Sequence, residues 1–187
     1  MKSLIVSELK VDENLVLIPF KEEDAKELFL LTDKNRGHLR EWLPWLDFTL
    51  KEDDTLKFLQ NVINQADRKE GLQFGIWYDG KLVGAIGHHK IDWINRKVSL
   101  GYWLDKDMTG KGIIVRSCEK LIEITFKDIN LNLITIAVAT ENMKSKSIPK
   151  KLGFTYEGTL RQREWLYDHF VDHDIYSLLN SEWKEKK

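Results

Sequence analysis

Apolar positions change their spacing several times along the chain, and each change marks an element. Residues 16–19 are a short apolar run that reads as a first strand. Ala25, Leu28, Phe29 and Thr32 then recur at helical spacing. A second helix carries Leu56, Leu59, Ile63 and Ala66, and Thr49 with Glu52 has the spacing of a capping box in front of it. Residues 73–78 and 81–87 are strand-like, with Asp79-Gly80 between them as a hairpin turn. A turn at Asn95-Arg96 precedes a strand over 97–104. A long amphipathic helix follows over 113–126, with Ile114, Cys118, Leu121, Ile122 and Thr125 along one face. Residues 133–139 form a buried strand by their β-branched content. A short helix spans 145–152, and strands over 154–166 and 171–179 flank Tyr167-Asp168-His169. Strand, two helices, three strands, helix, strand, helix, two strands predicts one mixed α/β (α+β) domain over 1–187, without repeats or linkers.

Composition narrows the class. Of 187 residues, 42% are hydrophobic and 32% charged, which fits a globular chain with a core. Twenty-nine basic side chains against 30 acidic ones leave no electrostatic footprint for nucleic acid or an anionic membrane. The single cysteine, Cys118, excludes an internal disulfide and fits a reducing compartment. Leu4-Ile5-Val6 is too short an apolar run for a signal peptide or a membrane span, so a cytoplasmic protein is expected. The terminal run Lys184-Glu185-Lys186-Lys187 reads as solvated surface.

The stretch with the most chemical content is Gly110-Lys111-Gly112, between the apolar run 100–104 and the long helix. Glycines let the backbone bend there without a Cβ penalty and leave N–H groups pointing outward. The helix that follows has unpaired N–H groups and a partial positive charge at its start. Together they suit a phosphate or pyrophosphate. A Walker A loop is excluded, because the lysine lies between the glycines and no Ser or Thr follows. A dinucleotide fingerprint is excluded by Val115 at the third glycine position. Taken alone, the motif is also compatible with a plain helix-start turn.

The element order and five signatures together resemble the GNAT acetyltransferases, and within them the RimJ/RimL branch that acetylates N-termini of ribosomal proteins. The signatures are Arg40-Glu41-Trp42-Leu43-Pro44-Trp45, Gly101-Tyr102-Trp103-Leu104, Gly110-Lys111-Gly112-Ile113, Asn142-Met143-Lys144-Ser145, and Leu152-Gly153-Phe154 with Glu157-Gly158 after it. The tail over 161–178 matches too, so the resemblance covers nearly the whole chain. It implies a central, mostly antiparallel sheet with flanking helices. The strand ending at Leu104 would splay from the strand 133–139, and the pantetheine arm of acetyl-coenzyme A would enter the gap as if it were a strand. Cofactor contacts are expected from Tyr102, Trp103, Leu104, Thr109, Gly110, Lys111, Gly112, Ile113, Ile114, Asn142 and Ser145. Thr109 stands where the family has Gln or Arg, and Ile114 where it has Gly or Ala.

The implied chemistry is direct acyl transfer: an amine attacks the thioester, an oxyanion forms and a thiolate leaves. A backbone N–H near Trp103 or Leu104 would hold the oxyanion. Many relatives place a Tyr just before the K-L-G-F segment to protonate the thiolate; here Pro149 is there, and Ser145 is the expected acid. Ser145 also fits as an N-cap of the short helix. Asn142 is the second catalytic candidate, with an ordinary turn residue as the alternative. Ser99 occupies the position of a common Glu base, so Asp92, Glu41 and His88 are weighed in its place. Trp42 and Trp45 are expected to wall the substrate site, although Trp also packs well in cores. Tyr167 and Asp172 would line the same pocket.

Cys118 lies on the apolar helix face without an activating neighbour, which reads as core packing rather than an acyl carrier. His88-His89 with Asp92 matches no strong metal spacing, so no metal is expected. Three functions stay open: N-terminal protein acetylation, acetylation of a small amine such as a polyamine, amino sugar or antibiotic, and a cofactor-binding module without turnover. The branch resemblance also implies a homo-oligomer.

Overall fold

The computed structural model describes residues 7–185. Leu4-Ile5-Val6, Lys186 and Lys187 lie outside the described residues, as do the side chains of Lys184 and Glu185. One eight-stranded sheet forms the middle layer. It contains β1 (Leu9–Lys10), β2 (Leu15–Pro19), β3 (Gln73–Tyr78), β4 (Lys81–His88), β5 (Lys97–Leu104), β6 (Leu133–Ala139), β7 (Thr155–Leu166) and β8 (His169–Leu179), in the order β1-β2-β3-β4-β5-β6-β8-β7. Every pairing is antiparallel except β5 with β6.

On one face lie α1 (Ala25–Lys34), α2 (Arg36–Arg40) and α3 (Glu52–Asp67). Here Ala25, Leu28, Leu59 and Val62 pack with Phe20, Leu82 and Ala85 of the sheet side. On the other face lie α4 (Ile113–Lys127) and α5 (Met143–Lys151), and α6 (Asn180–Glu185) is the last described element. Cys118, Leu121 and Ile122 of α4 pack on Phe74, Ile86, Leu100 and Tyr176, the larger of the two cores. With helices on both sides, β4 is buried from Leu82 to His88, which explains its unbroken apolar run.

The predicted elements are all present, with local corrections. The hairpin turn at Asp79-Gly80 has both residues at positive φ, 49° and 73°, as a two-residue connection requires. The capping box of α3 is not Thr49 with Glu52. Asp54 accepts from the Leu50 and Lys51 N–H groups at 3.0 and 3.2 Å, while the Thr49 hydroxyl turns back to the Trp45 carbonyl. The buried stripe of α3 runs through Thr55, Leu59 and Val62; Ile63 is only half-buried. The short helix begins at Met143, not Ser145, because Asn142 caps it: the Asn142 side chain accepts from the Ser145 N–H at 3.0 Å.

Candidate active site

β5 and β6 part company after three residues. Their register is Lys97–Leu133, Val98–Ile134 and Ser99–Thr135, and it stops there. Each strand stays paired with its other neighbour, β5 to β4 out to Leu104 and β6 to β8 out to Ala139. The sheet is therefore forked at Ser99. The orientation of the open backbone follows from alternation along a strand. The Ser99 carbonyl accepts from His89 N–H and the Asp105 N–H donates to Val83, so odd-numbered residues of β5 face β4. Tyr102 and Leu104 then turn their N–H and C=O groups into the fork. By the same reasoning, the Asn180 N–H bound to the Asn132 carbonyl and the Thr140 N–H bound to Asp172 put even residues of β6 toward β8. Ala137 faces the fork from the other wall. Of the two expected oxyanion donors, Trp103 turns its N–H to β4, which leaves Leu104.

A cavity of about 650 Å³ fills the fork, reaching from α4 and α5 to His38 and Leu39 of α2. Tyr102, Trp103 and Leu104 line it from β5. Thr109, Gly110, Gly112, Ile113 and Ile114 line it from the glycine turn. Asn142 and Ser145 line it from α5. Lys111 alone of the expected cofactor residues does not; its ammonium sits 3.3 Å from the Met108 sulfur. Gly110 and Gly112 have φ of 82° and 72°, conformations that L side chains resist. Gly112 caps α4, so the first-turn N–H groups of a fifteen-residue helix point at the cavity. The turn is fixed from behind. The Asn35 amide oxygen accepts from the Lys106 N–H at 3.0 Å, and Lys34 bridges Asp105 and Asp107 at 2.7 and 2.8 Å. Lys144 and Lys151 add cationic lining. This set suits the diphosphate and extended arm of a coenzyme A thioester.

Ser145 sits in the first turn of α5 with its hydroxyl 3.2 Å from the Tyr102 hydroxyl. Loss of hydration pushes the Tyr102 pKa well above its ordinary value, so the phenol keeps its proton and can hold the serine oxygen.

A second cavity, of about 830 Å³, opens beside the first; Glu41, Trp42 and Glu141 line both. Phe48, Trp165 and Tyr167 give it aromatic walls. The connector 42–45 is held in place by three contacts. The Tyr167 hydroxyl donates to the Leu43 carbonyl, Arg40 lies 3.7 Å over the Tyr167 ring, and Arg40 grips Asp47 through two bonds of 2.9 and 2.8 Å. Trp45 does not line either cavity; it packs on Trp103 with ring centroids 6.4 Å apart. Asp172 lines neither, because its carboxylate accepts from the Gln162 N–H at 2.7 Å and fixes an irregularity in β7.

Of the three bases weighed from the sequence, only Glu41 is at the fork. His88 is fully buried under α4, bonded to the Thr125 hydroxyl at 2.8 Å, and burial holds its pKa down to about 3. Asp92 closes the β4–β5 turn with Asn95 and Lys97. Two groups were missed. Glu141 directly precedes Asn142, so its position was readable from the motif. The other is Glu164, which lines neither cavity but lies 3.4 Å from His173. Loss of hydration holds the His89 pKa below its ordinary value, and the Glu164 charge opposes that only in part. The His89 ring lies against Gly101, where an added Cβ would come within 2.8 Å of Nε2. This cluster joins the residue after β4 with β7 and β8, on the face opposite Tyr102. Its members are far apart in sequence and leave no local signal.

A forked sheet with a diphosphate turn on one side and an acidic, aromatic cavity on the other defines an acyl-coenzyme A-dependent N-acyltransferase. Residues 14–155 match the acetyltransferase (GNAT) domain family, and the chain belongs to it. Acetyl-coenzyme A is the cosubstrate of that family. YdaF of Bacillus subtilis (strain 168), which carries a ribosomal N-acetyltransferase name, is 35% identical over 184 residues, covering 95% of this chain and 98% of that protein. The ribosomal-protein-serine acetyltransferase of Escherichia coli (strain K12) is 32% identical over 169 residues, 90% of this chain and 94% of that one. Among solved structures, RimL, a ribosomal L7/L12 α-N-protein acetyltransferase in complex with coenzyme A, superposes with a TM-score of 0.91 at 24% identity, covering 94% and 99% of the two chains.

Proposed function

We propose that the chain transfers an acetyl group from acetyl-coenzyme A directly to the N-terminal α-amine of a ribosomal protein. The observation that carries this reading is the pairing of the forked strands with a second, acidic cavity at the same opening. Acetyl-coenzyme A, when bound, supplies an acyl carbon activated by a good leaving thiol. Tyr102, Leu104 and Ala137 offer unpaired backbone groups to its arm, and the Gly110–Ile114 turn offers N–H groups to its diphosphate. The Leu104 N–H is the donor that stabilises developing negative charge. Ser145, steadied by Tyr102, holds the proton that the departing sulfur needs.

The acceptor side favours a cation. Arg40 is paired with Asp47 and His169 with Asp168, which leaves Glu41 and Glu141 without an ion-pair partner among the described residues. An α-ammonium entering there has a pKa near 8, so about 10% is already neutral at pH 7, and Glu41 and Glu141 at the shared opening are the groups placed to take the proton from the rest. A lysine side chain would be neutral at well under ~0.1% and gains less from this site. The same acidic cavity favours a second reading, a polyamine acceptor. The exposed edge strand β7, with Tyr156, Leu160 and Trp165, supports self-association. No helix among the described residues is long and apolar enough to cross a membrane, which supports action in the cytoplasm.

Free-thiol release against ribosomal N-terminal peptides, the same peptides with blocked N-termini, spermidine and aminoglycosides tests the reading. Free peptides should turn over and blocked ones should not. Turnover of spermidine with none on any peptide would replace the first reading by the second. Silence on all acceptors, with a thermal shift on adding acetyl-coenzyme A, would leave a binding module.

A further inference from the structure

Lys146 follows Ser145 on α5 and lies about 100° further around the helix, with its side chain turned to β6 and β8. Its ammonium lies 2.6 Å from Asp174 Oδ2 on β8 and donates to the Thr140 carbonyl, at the end of β6, at 3.1 Å. The other Asp174 oxygen accepts from the Thr159 hydroxyl on β7 at 2.6 Å, and that hydroxyl meets the Tyr156 hydroxyl at 2.8 Å. The pair is well shielded, with the Lys146 side chain 17% and the Asp174 side chain 7% exposed. One cation thus joins the first turn of α5, the outer wall of the fork and the β7–β8 hairpin. The hairpin carries Tyr167 at its tip.

Ile148 and the buried Pro149 seat the later turn of α5 on the core, while its first turn is held by polar contacts. The Asn142 cap sets where the helix starts, and Met143 and Lys144 beside it are exposed. Tyr102 meets Ser145 twice, hydroxyl to hydroxyl at 3.2 Å and hydroxyl to carbonyl at 3.4 Å, both long and between neutral groups. A charge-assisted bond at a shielded site is shorter and stronger than either. We infer that Lys146 is a positioning residue: clamped between Asp174 and Thr140, it sets the turn of α5 that presents the Ser145 hydroxyl to the fork. The inference rests on the acetyl-transfer reading for its kinetic consequence, not for its geometry.

The test is a double-mutant cycle. Lys146→Met should lower kcat about 10–100-fold while KM for acetyl-coenzyme A moves less than about threefold, because the diphosphate turn is untouched. Lys146→Arg should return kcat to within about threefold. In a Ser145→Ala background, Lys146→Met should cost less than about a further twofold, since its effect runs through the missing hydroxyl. Asp174 left alone and buried could unfold the first variant. Lys146→Met/Asp174→Asn removes both charges and should melt near wild type while staying slow. Losses that multiply in the cycle, or kcat and KM failing together with no rescue by Arg, would overturn the inference. A second readout needs no acceptor: hydrogen exchange at the Ser145 and Lys146 amides should quicken about tenfold in Lys146→Met/Asp174→Asn, with β5 unchanged. Unaltered exchange there would also overturn it. If wild type itself shows no thiol release, the acetyl-transfer reading has failed, and the exchange result still decides the positioning role.

Discussion

Gly112→Ala separates backbone conformation from side-chain contact at the diphosphate turn. Gly112 has φ of 72°, and no heavy atom lies within 4 Å of where a Cβ would be. Alanine therefore meets no clash, and the whole effect is the left-handed backbone. That conformation costs an L residue roughly 1–2 kcal/mol. Alanine also narrows the unfolded ensemble, which returns about 0.5 kcal/mol. The net is about 1 kcal/mol, and it can be expressed in two ways. If α4 holds the turn in place through the buried side chains of Ile113 and Ile114, the strain remains in the folded state. The melting temperature then falls about 2–4 °C, the scale for a chain of this length. If the turn relaxes instead, the N–H groups lose their aim and affinity for acetyl-coenzyme A falls up to about fivefold, the equivalent of 1 kcal/mol. Thermal melts with and without acetyl-coenzyme A, beside calorimetric Kd values, read both. Lys111→Ala is the control: its side chain does not line the cavity, and Kd should move less than about twofold. A Gly112→Ala protein with wild-type melting and wild-type Kd, or a Lys111→Ala loss larger than that of Gly112→Ala, would refute the argument.

Ser145→Ala should lower kcat by about 10²-fold, the scale of one general acid, and change the Kd of acetyl-coenzyme A little; unchanged turnover would remove Ser145 from the chemistry. Cys118→Ala should keep kcat, because the thiol is buried and burial pushes its pKa up, at a stability cost of roughly 1–2 kcal/mol. Loss of turnover in a folded Cys118→Ala protein would reopen an acyl-enzyme route. His88 makes stability depend on pH with a definite sign. Its folded pKa is held down to about 3, so below an unfolded value near 6.5 the unfolded chain binds the proton first and stability falls as pH drops. The slope is about 1.4 kcal/mol per unit, or about 2 kcal/mol between pH 6.5 and 5. Denaturant melts of wild type and His88→Gln should show a shallower loss in the variant; parallel curves would contradict the assignment.

The sheet and its helices were legible because burial leaves a period in the sequence. β4 is buried on both faces and reads as a continuous apolar run, while α4 buries one face and repeats every three to four residues. Errors arose where two residues competed for one local role. Thr49 and Asp54 both offer oxygen acceptors at the start of α3, and the carboxylate wins two backbone donors. Asn142 and Ser145 are both cap residues three apart, and the amide takes the cap, which frees the hydroxyl for Tyr102. The misjudged face of α3 is one residue wide: Val62 and Ile63 differ by about 100° around the helix, and packing chose the first. The cluster of Glu164, His89 and His173 was invisible for a different reason. Three strands bring it together, and neither period nor spacing records which strands become neighbours.

The fork also accounts for the two cavities meeting at one opening. Strands twist, so two sheet halves that pair over only three residues diverge with distance from the junction. Successive residues of β5 then serve opposite faces. Leu100, Tyr102 and Leu104 point their side chains toward α4 and α5, where Tyr102 reaches Ser145. Gly101 and Trp103 point to the face of α1–α3, where Gly101 leaves room for His89 and Trp103 packs on Trp45. The backbone between them belongs to neither face and lies in the opening itself. In the acetyl-transfer reading proposed above, a thioester arm along that backbone would have the Leu104 N–H within reach of its carbonyl, and an amine would come in past Trp42. Closing the fork by extending the β5–β6 pairing to Leu104 would satisfy more backbone groups and abolish the site. The unpaired groups of Tyr102, Leu104 and Ala137 are thus what a strand-like ligand supplies partners for, and binding it completes the sheet.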